Sequence, residues 1–175
     1  MARLVFAAHG YSAGLTSVQK GTKMRYSPLI AILLAGLIAG TIDIGAASLI
    51  NGLNPIIICQ AIASGAIGKA SFHGGLQTAG LGLVLQWAMS IIIAGIYIVA
   101  AQVMPVLRRA WLGFGLLYGV GIYFVMNLVV VPLSAAHGKG YHFVPVKFAE
   151  DMVAMLVFGT IVAWFARSTT PAEHR

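Results

Sequence analysis

The sequence predicts an all-α integral membrane bundle of four transmembrane helices, with a short interfacial or re-entrant helix between the first two. Three observations lead there. Of the 175 residues, 59% are hydrophobic and 9% charged, whereas a soluble domain carries about 25% charged residues. The mean hydropathy is +0.92. The few charges also leave several stretches long enough to cross a hydrocarbon core of about 30 Å. Together these exclude an ordinary soluble domain.

Residues 1–27 read as a cytoplasmic extension with no long apolar core and no small-residue cleavage site, unlike a secretory signal. Met24, directly before Arg25 and Tyr26, offers an alternative start of translation. Residues 29–50 hold one charge, Asp43, and at 1.5 Å per residue they reach about 33 Å. They form the first span. Residues 55–72, PIIICQAIASGAIGKASF, are rich in small side chains, and only 14 residues precede Lys69. That length suits an interfacial or re-entrant helix better than a crossing. A full crossing there would move the C-terminus to the other side. Gly74 and Gly75 serve as a flexible lead-in to the second span, residues 76–104, which are uncharged and end at Pro105. Residues 111–131 are uncharged and close at Pro132, and residues 148–165 make the fourth span. The membrane domain thus covers 28–167, and residues 168–175 read as a frayed cytoplasmic tail.

The charge of +7 is scattered between apolar blocks rather than gathered on one face, so it does not point to nucleic acid. It does orient the chain. Four crossings put Arg3, Lys20, Lys23, Arg25, Arg108, Arg109, Arg167 and Arg175 on one side, against Lys69, Lys139 and Lys147 on the other. The positive-inside rule then places both termini in the cytoplasm. Tyr26, Trp111, Tyr141 and Trp164 fall near span ends, where amphipathic rings prefer to sit. Trp87 falls well inside the second span and reads as packing within the bundle. The single cysteine, Cys59, excludes an intrachain disulfide and a cysteine-based zinc framework.

In lipid, helices associate through close backbone approach at small residues. Gly36 and Gly40 in the first span, and Gly115 and Gly119 in the third, have the GxxxG spacing. Ala61, Ser64, Gly65 and Gly68 repeat a small-residue pattern in the intervening segment. At 100° per residue Asp43 shares the face of Gly36, Gly40 and Ala47, so it points toward protein rather than lipid. A carboxylate in the apolar layer costs about 2.5–3.5 kcal/mol on insertion scales and is paired, protonated or functional. Asn127 on the third span lies at a similar depth and Gln86 on the second somewhat deeper. With Ser64 and Lys69 as further partners, these residues form a candidate buried polar cluster. It reads either as a proton- or cation-binding site or as an interhelical hydrogen-bond network, whose bonds contribute about 0.6 kcal/mol each.

A second set, His73, His137, His142, Glu150 and Asp151, falls at the predicted outer surface. Its spacing matches no compact zinc signature, so these are weak metal ligands and no metal is expected. Glu150 and Asp151 have a simpler role in the first turn of the fourth span, opposing the helix dipole. Lys147 stands one turn before Asp151 and can pair with it. No His lies inside a span to hold haem. No P-loop, HExxH or nucleophile-elbow pattern occurs, so no cofactor is expected and no reaction is indicated.

The strings AGLIAGTIDI, QAIASGAIGKASFHGG and YGVGIYFVMNLVVVPLSA resemble those of uncharacterised bacterial four-span inner-membrane proteins, with a more distant similarity of layout to the YagU type. The likeness covers residues 28–167. It implies a bacterial inner-membrane location and brings no substrate, cofactor or catalytic residue. The expected function is a structural, assembly or stress-related membrane component. Its partners would be the lipid bilayer and either other copies of the chain or other membrane proteins. The alternative is a small-solute, ion or proton pathway centred on Asp43.

Overall fold

The computed structural model describes residues 26–135 and 145–169. The expectations placed on residues 1–25, on His137, Lys139, Tyr141 and His142, and on residues 170–175 lie outside these. The described chain is helical, with one isolated backbone bridge between Tyr26 and Thr169.

Helix α1 spans Pro28–Asn51. Ser27 caps it by accepting from the Ile30 N–H, and Pro28 fits the first turn, where no N–H is required. Gly52 ends the helix in the left-handed region, φ 61°, which glycine adopts without a Cβ penalty. Leu53 completes that turn by bonding the Ser48 carbonyl at 3.1 Å. Asn54 caps α2, Pro55–Ile67, through the Ile56 N–H at 2.9 Å. The segment continues as 3-10 turns over Gly68–His73, and the Thr78 hydroxyl donates to the Ser71 carbonyl at 2.6 Å. Then follow α3 over Gly75–Val103, the short α4 over Pro105–Arg109 and α5 over Trp111–Val125. A π turn at Met126–Val130 leads into α6, Val131–Leu133, and α7 covers Pro145–Arg167.

Five segments have the length and apolarity to cross a membrane: Pro28–Asn51, Pro55–His73, Gly75–Val103, Trp111–Leu133 and Pro145–Arg167. The pairing of the helices sets one of these apart from the other four. Gly36 lies against Ile91 and Gly40 against Ser90 and Trp87, and Asp43 meets Gln86. As α1 numbers rise, α3 numbers fall, so the two are antiparallel and Gly75 stands level with the end of α1. The segment Pro55–His73 therefore leaves from and returns to the same end of the bundle. Had it crossed, α3 would run parallel to α1. Its connections are short, three residues after Asn51 and one before Gly75, and it packs back on the start of α3 through the Gln60 bond to Gly75 and the contact of Cys59 with Gly82. Gly65 and Ala135 join it there to the end of α6 through a 2.8 Å backbone bond.

Helix α7 is antiparallel to both α1 and α5. Lys147 donates to Asn51 at one end of α1, and the Tyr26 N–H reaches the Ser168 carbonyl at the other, 3.1 Å away. Gly159 faces Gly115 while Met155 faces Gly119. The result is an up-down-up-down bundle. Its proximal end holds Tyr26, Arg108, Arg109 and Arg167, with the Arg167 guanidinium 5.1 Å from the Trp111 ring centre. Its distal end holds Lys69 and Lys147.

Three local features differ from the sequence reading. The third span does not close at Pro132 but runs to Leu133. Proline lacks the N–H that Leu128 would otherwise receive, and the chain accommodates it with a π turn in which the Val131 N–H bonds Met126, five residues back. Helix α7 starts at Pro145, so Glu150 and Asp151 fall in its second turn and no acidic residue occupies the first. The helix-dipole role expected of them loses its geometry, because that effect fades beyond the first turn. Finally, Ser168 and Thr169 are tied down rather than frayed: Thr169 is buried and accepts from Gln102 Nε2 at 2.9 Å.

The core is built from small residues, as close helix approach in lipid requires. Ala31, Ala35 and Ala39 of α1 meet Ala94, Ile98 and Ala101 of α3 and Val162, Ala163 and Ala166 of α7, all buried. Tyr97 and Tyr118 pack at the centre with rings 4.9 Å apart. Their hydroxyls donate to the carbonyls of Leu107 and Ile93, at 3.4 and 2.7 Å, so neither polar tip is left unpaired in an apolar surrounding. A smaller cluster of Ile44, Ile58, Cys59 and Ala79 seats α2 on α1 and α3.

Candidate functional site

Close packing of α1 on α3 creates the site. A Cβ on Gly36 would fall 2.6 Å from Ile91 Cα, and one on Gly40 would fall 2.5 Å from Ser90 Oγ. Glycine at both positions lets the backbones approach until side chains one turn further along meet. There Gln86 Nε2 donates to Asp43 Oδ2 at 2.7 Å, a distance typical of a charge-assisted hydrogen bond. Beside it, Trp87 Nε1 donates to Thr41 Oγ1 at 3.1 Å. These are side-chain bonds between α1 and α3, two of the helices long and apolar enough to cross a membrane.

Asp43 is also among the residues that line a groove. Helix α7 passes α1 at a distance that leaves a groove of about 530 Å³ between them. Ala39 and Phe158, both buried, are among its lining residues. Ile50 and Ala149 stand at its distal mouth. From Ala39 to Ile50 the α1 wall extends about 16 Å at 1.5 Å per residue, with Asp43 about 6 Å along it from Ala39. The remaining walls are apolar except for Glu150 on α7. Asp151, its neighbour in sequence, lies near enough for its charge to act on Asp43. Three of the four acidic residues of the chain thus belong to the α1–α7 seam. Lys147 acts on Asp151 one turn away and donates to Asn51 at the mouth.

The expected cluster is brought together only at its centre. Asp43 and Gln86 meet. Asn127 instead donates from Nδ2 to the Tyr123 carbonyl of its own helix at 2.9 Å. Ser64 donates to the Ala61 carbonyl at 2.6 Å, and Lys69 is exposed on the 3-10 turns. His73 is exposed at the end of those turns, while Glu150 and Asp151 lie on α7. Among the described residues no three His, Cys, Asp or Glu side chains group so as to share one ion. Gly36 and Gly40 occupy the α1–α3 contact, and Gly115 and Gly119 the α5–α7 contact.

Two contributors had a signal in the sequence that went unused. Gly159 and Ala163 repeat the small-xxx-small spacing in the fourth span, and they are the surface against which Gly115 and Gly119 pack. Glu150 stands one turn before Val153 and Ala154, which line the groove with it, a phase that a helix starting at Pro145 makes legible.

The fold and the apolar helix surfaces define the class: a multi-pass membrane protein with an all-α bundle. No family model matches the chain, and no curated protein or solved structure matches it.

Proposed function

We propose that the chain is a multi-pass component of a bacterial inner membrane, with both termini cytoplasmic, and that it works by associating with other membrane proteins or with its own copies in a structural, assembly or stress-related role. The observation that carries this reading is the placement of glycines the bundle does not use. Gly45, Gly80, Gly113 and Gly121 have nothing within 4 Å of where a side chain would be. In lipid such positions admit a second backbone at close range. Gly113 and Gly121 flank the exposed Leu117 on one stripe of α5.

Extraction in a mild detergent, followed by mass measurement on the intact protein–detergent complex, tests it. The account expects an assembly larger than one chain, and expects Gly113→Leu with Gly121→Leu to release single, folded chains. A wild-type protein recovered only as single chains contradicts it. The orientation agrees with the basic residues at the proximal end, Arg108, Arg109 and Arg167.

A second reading, a proton or cation pathway, is favoured by one observation: Asp43, bonded to Gln86, is among the residues that line the α1–α7 groove. Asp43→Asn keeps the hydrogen-bonding shape and is expected to leave the fold unchanged. If the pathway exists, ion or proton flux into liposomes containing the wild type is measurable and the substitution abolishes it. Equal flux in a well-expressed Asp43→Asn protein rejects the pathway.

A further inference from the structure

The proximal end of the bundle carries three arginines whose charge no carboxylate of the described chain balances. Arg108 and Arg109 close the short helix α4, and Arg167 closes α7. The two ends are held together. Leu107 is buried in the same cluster as Phe165 and Ala166, and its carbonyl accepts from the Tyr97 hydroxyl at 3.4 Å. The Arg167 guanidinium stands 5.1 Å from the ring centre of Trp111, two residues after Arg109. Among the described residues, none of the three guanidiniums takes part in a hydrogen bond or an ion pair. At 1.5 Å per residue, Asp151 lies about 24 Å along α7 from Arg167, and Asp43 about 22 Å along α1 from Pro28. Both separations far exceed the Debye length of about 8 Å at physiological salt. Glu173 lies outside the described residues.

We propose that α4 and the adjoining end of α7 bind the headgroup of an anionic phospholipid, with Arg108, Arg109 and Arg167 on its phosphate and the apolar side chains around α4 against its acyl chains. The guanidinium fork matches phosphate oxygens two at a time, and its charge-assisted bonds are the stronger kind. Arg108 is half-buried and Arg109 exposed. Around them Met104, Val106 and Leu112 are exposed apolar side chains. A free phosphate would meet the charge and leave this apolar skirt bare, whereas a phospholipid supplies both chemistries in one molecule. Its phosphate also lies at the right level, because rings such as those of Trp111 and Tyr26 sit among the headgroups. Basic pockets between membrane helices are a known form of anionic headgroup site. The inference takes from the proposed function only that the chain lies in a membrane. A protein recovered as single chains would reject the association and leave the lipid site intact.

The test is native mass spectrometry of the full chain, delipidated in a mild detergent and titrated with dioleoyl phosphatidylglycerol or, as the zwitterionic control, dioleoyl phosphatidylcholine. The expected result is saturable binding of the anionic lipid near one per chain, at least about tenfold tighter than its control. A basic side chain at an anionic headgroup contributes about fivefold in affinity. Arg109→Gln and Arg167→Gln are therefore each expected to weaken phosphatidylglycerol about fivefold, and together about twenty-fivefold, while phosphatidylcholine is unchanged. Arg109 is exposed, so Arg109→Gln keeps the test available if Arg167→Gln disturbs the fold. Lys69→Gln removes one positive charge at the distal end and is expected to leave binding as in the wild type. Equal binding of the two lipids, wild-type affinity in both arginine variants, or an equal loss in Lys69→Gln would overturn the proposal. Displacement of the lipid by an equimolar amount of inorganic phosphate would overturn it too, by showing a site for the free anion.

Discussion

Gly159→Leu is expected to abolish recovery of folded protein. Even the first atom of a new side chain would fall 2.7 Å from the Gly119 nitrogen and 2.9 Å from its Cα. These are backbone atoms, which no rotamer change can move aside. The two helices would have to separate, and with them the contacts of Phe158, Val162 and Ala163 in the core. Overpacking a core typically costs about 1–3 kcal/mol, and more where the backbone must shift. Gly113→Leu is the control, since its side chain would enter open space on the same helix pair. Size-exclusion profiles of the detergent-extracted proteins should therefore differ sharply: a monodisperse peak for Gly113→Leu, aggregate or no protein for Gly159→Leu. Equal profiles would mean that α5 and α7 do not pack through these glycines.

Gly82→Val is expected to detach the segment at the distal end while the four crossings persist. A side chain at Gly82 would collide with the Cys59 carbonyl and Cα, where α2 rests on α3. Around that point α2 is held by the Ile44, Ile58 and Ala79 cluster and by the Gln60 Nε2 bond to the Gly75 carbonyl at 3.0 Å. Cys59 supplies its own reporter, being the only cysteine in the chain and 8% exposed. Its reaction with a small maleimide should be slow in the wild type and faster by about tenfold or more in Gly82→Val, because local opening exposes the thiol. An unchanged rate with the fold retained would mean that α2 does not pack on α3 at this position.

How much of this was legible in the sequence depends on which physical rule governed each residue. The crossings were legible because charge-free stretches of spanning length have few other solutions in lipid. The segment Pro55–His73 was legible through its shortage of residues before Lys69, and antiparallel α1 and α3 give that reading its geometric reason. Asp43 and Gln86 were legible from depth and helical phase alone. Asn127 was matched to them by depth, but depth does not fix rotation. Its amide bonds its own helix at Tyr123, within a π turn that shifts the phase of everything after Val125. Ser64 likewise bonds its own helix, a habit of hydroxyl side chains that sequence spacing does not reveal. Glu150 was assigned to a helix start because the fourth apolar run begins at Phe148. Pro145 begins the helix earlier, and Glu150 falls on the stretch of α7 that borders the groove.

The central claim is that Pro55–His73 leaves and re-enters the same side of the membrane, so that only four helices cross. Labelling with a membrane-impermeant maleimide in intact cells, in a Cys59→Ala background, tests it with Ser27→Cys, Lys69→Cys and Ser168→Cys. The account predicts that Lys69→Cys labels from one side, while Ser27→Cys and Ser168→Cys both label only from the other. Ser27→Cys and Lys69→Cys on the same side, with Ser168→Cys opposite, would contradict it.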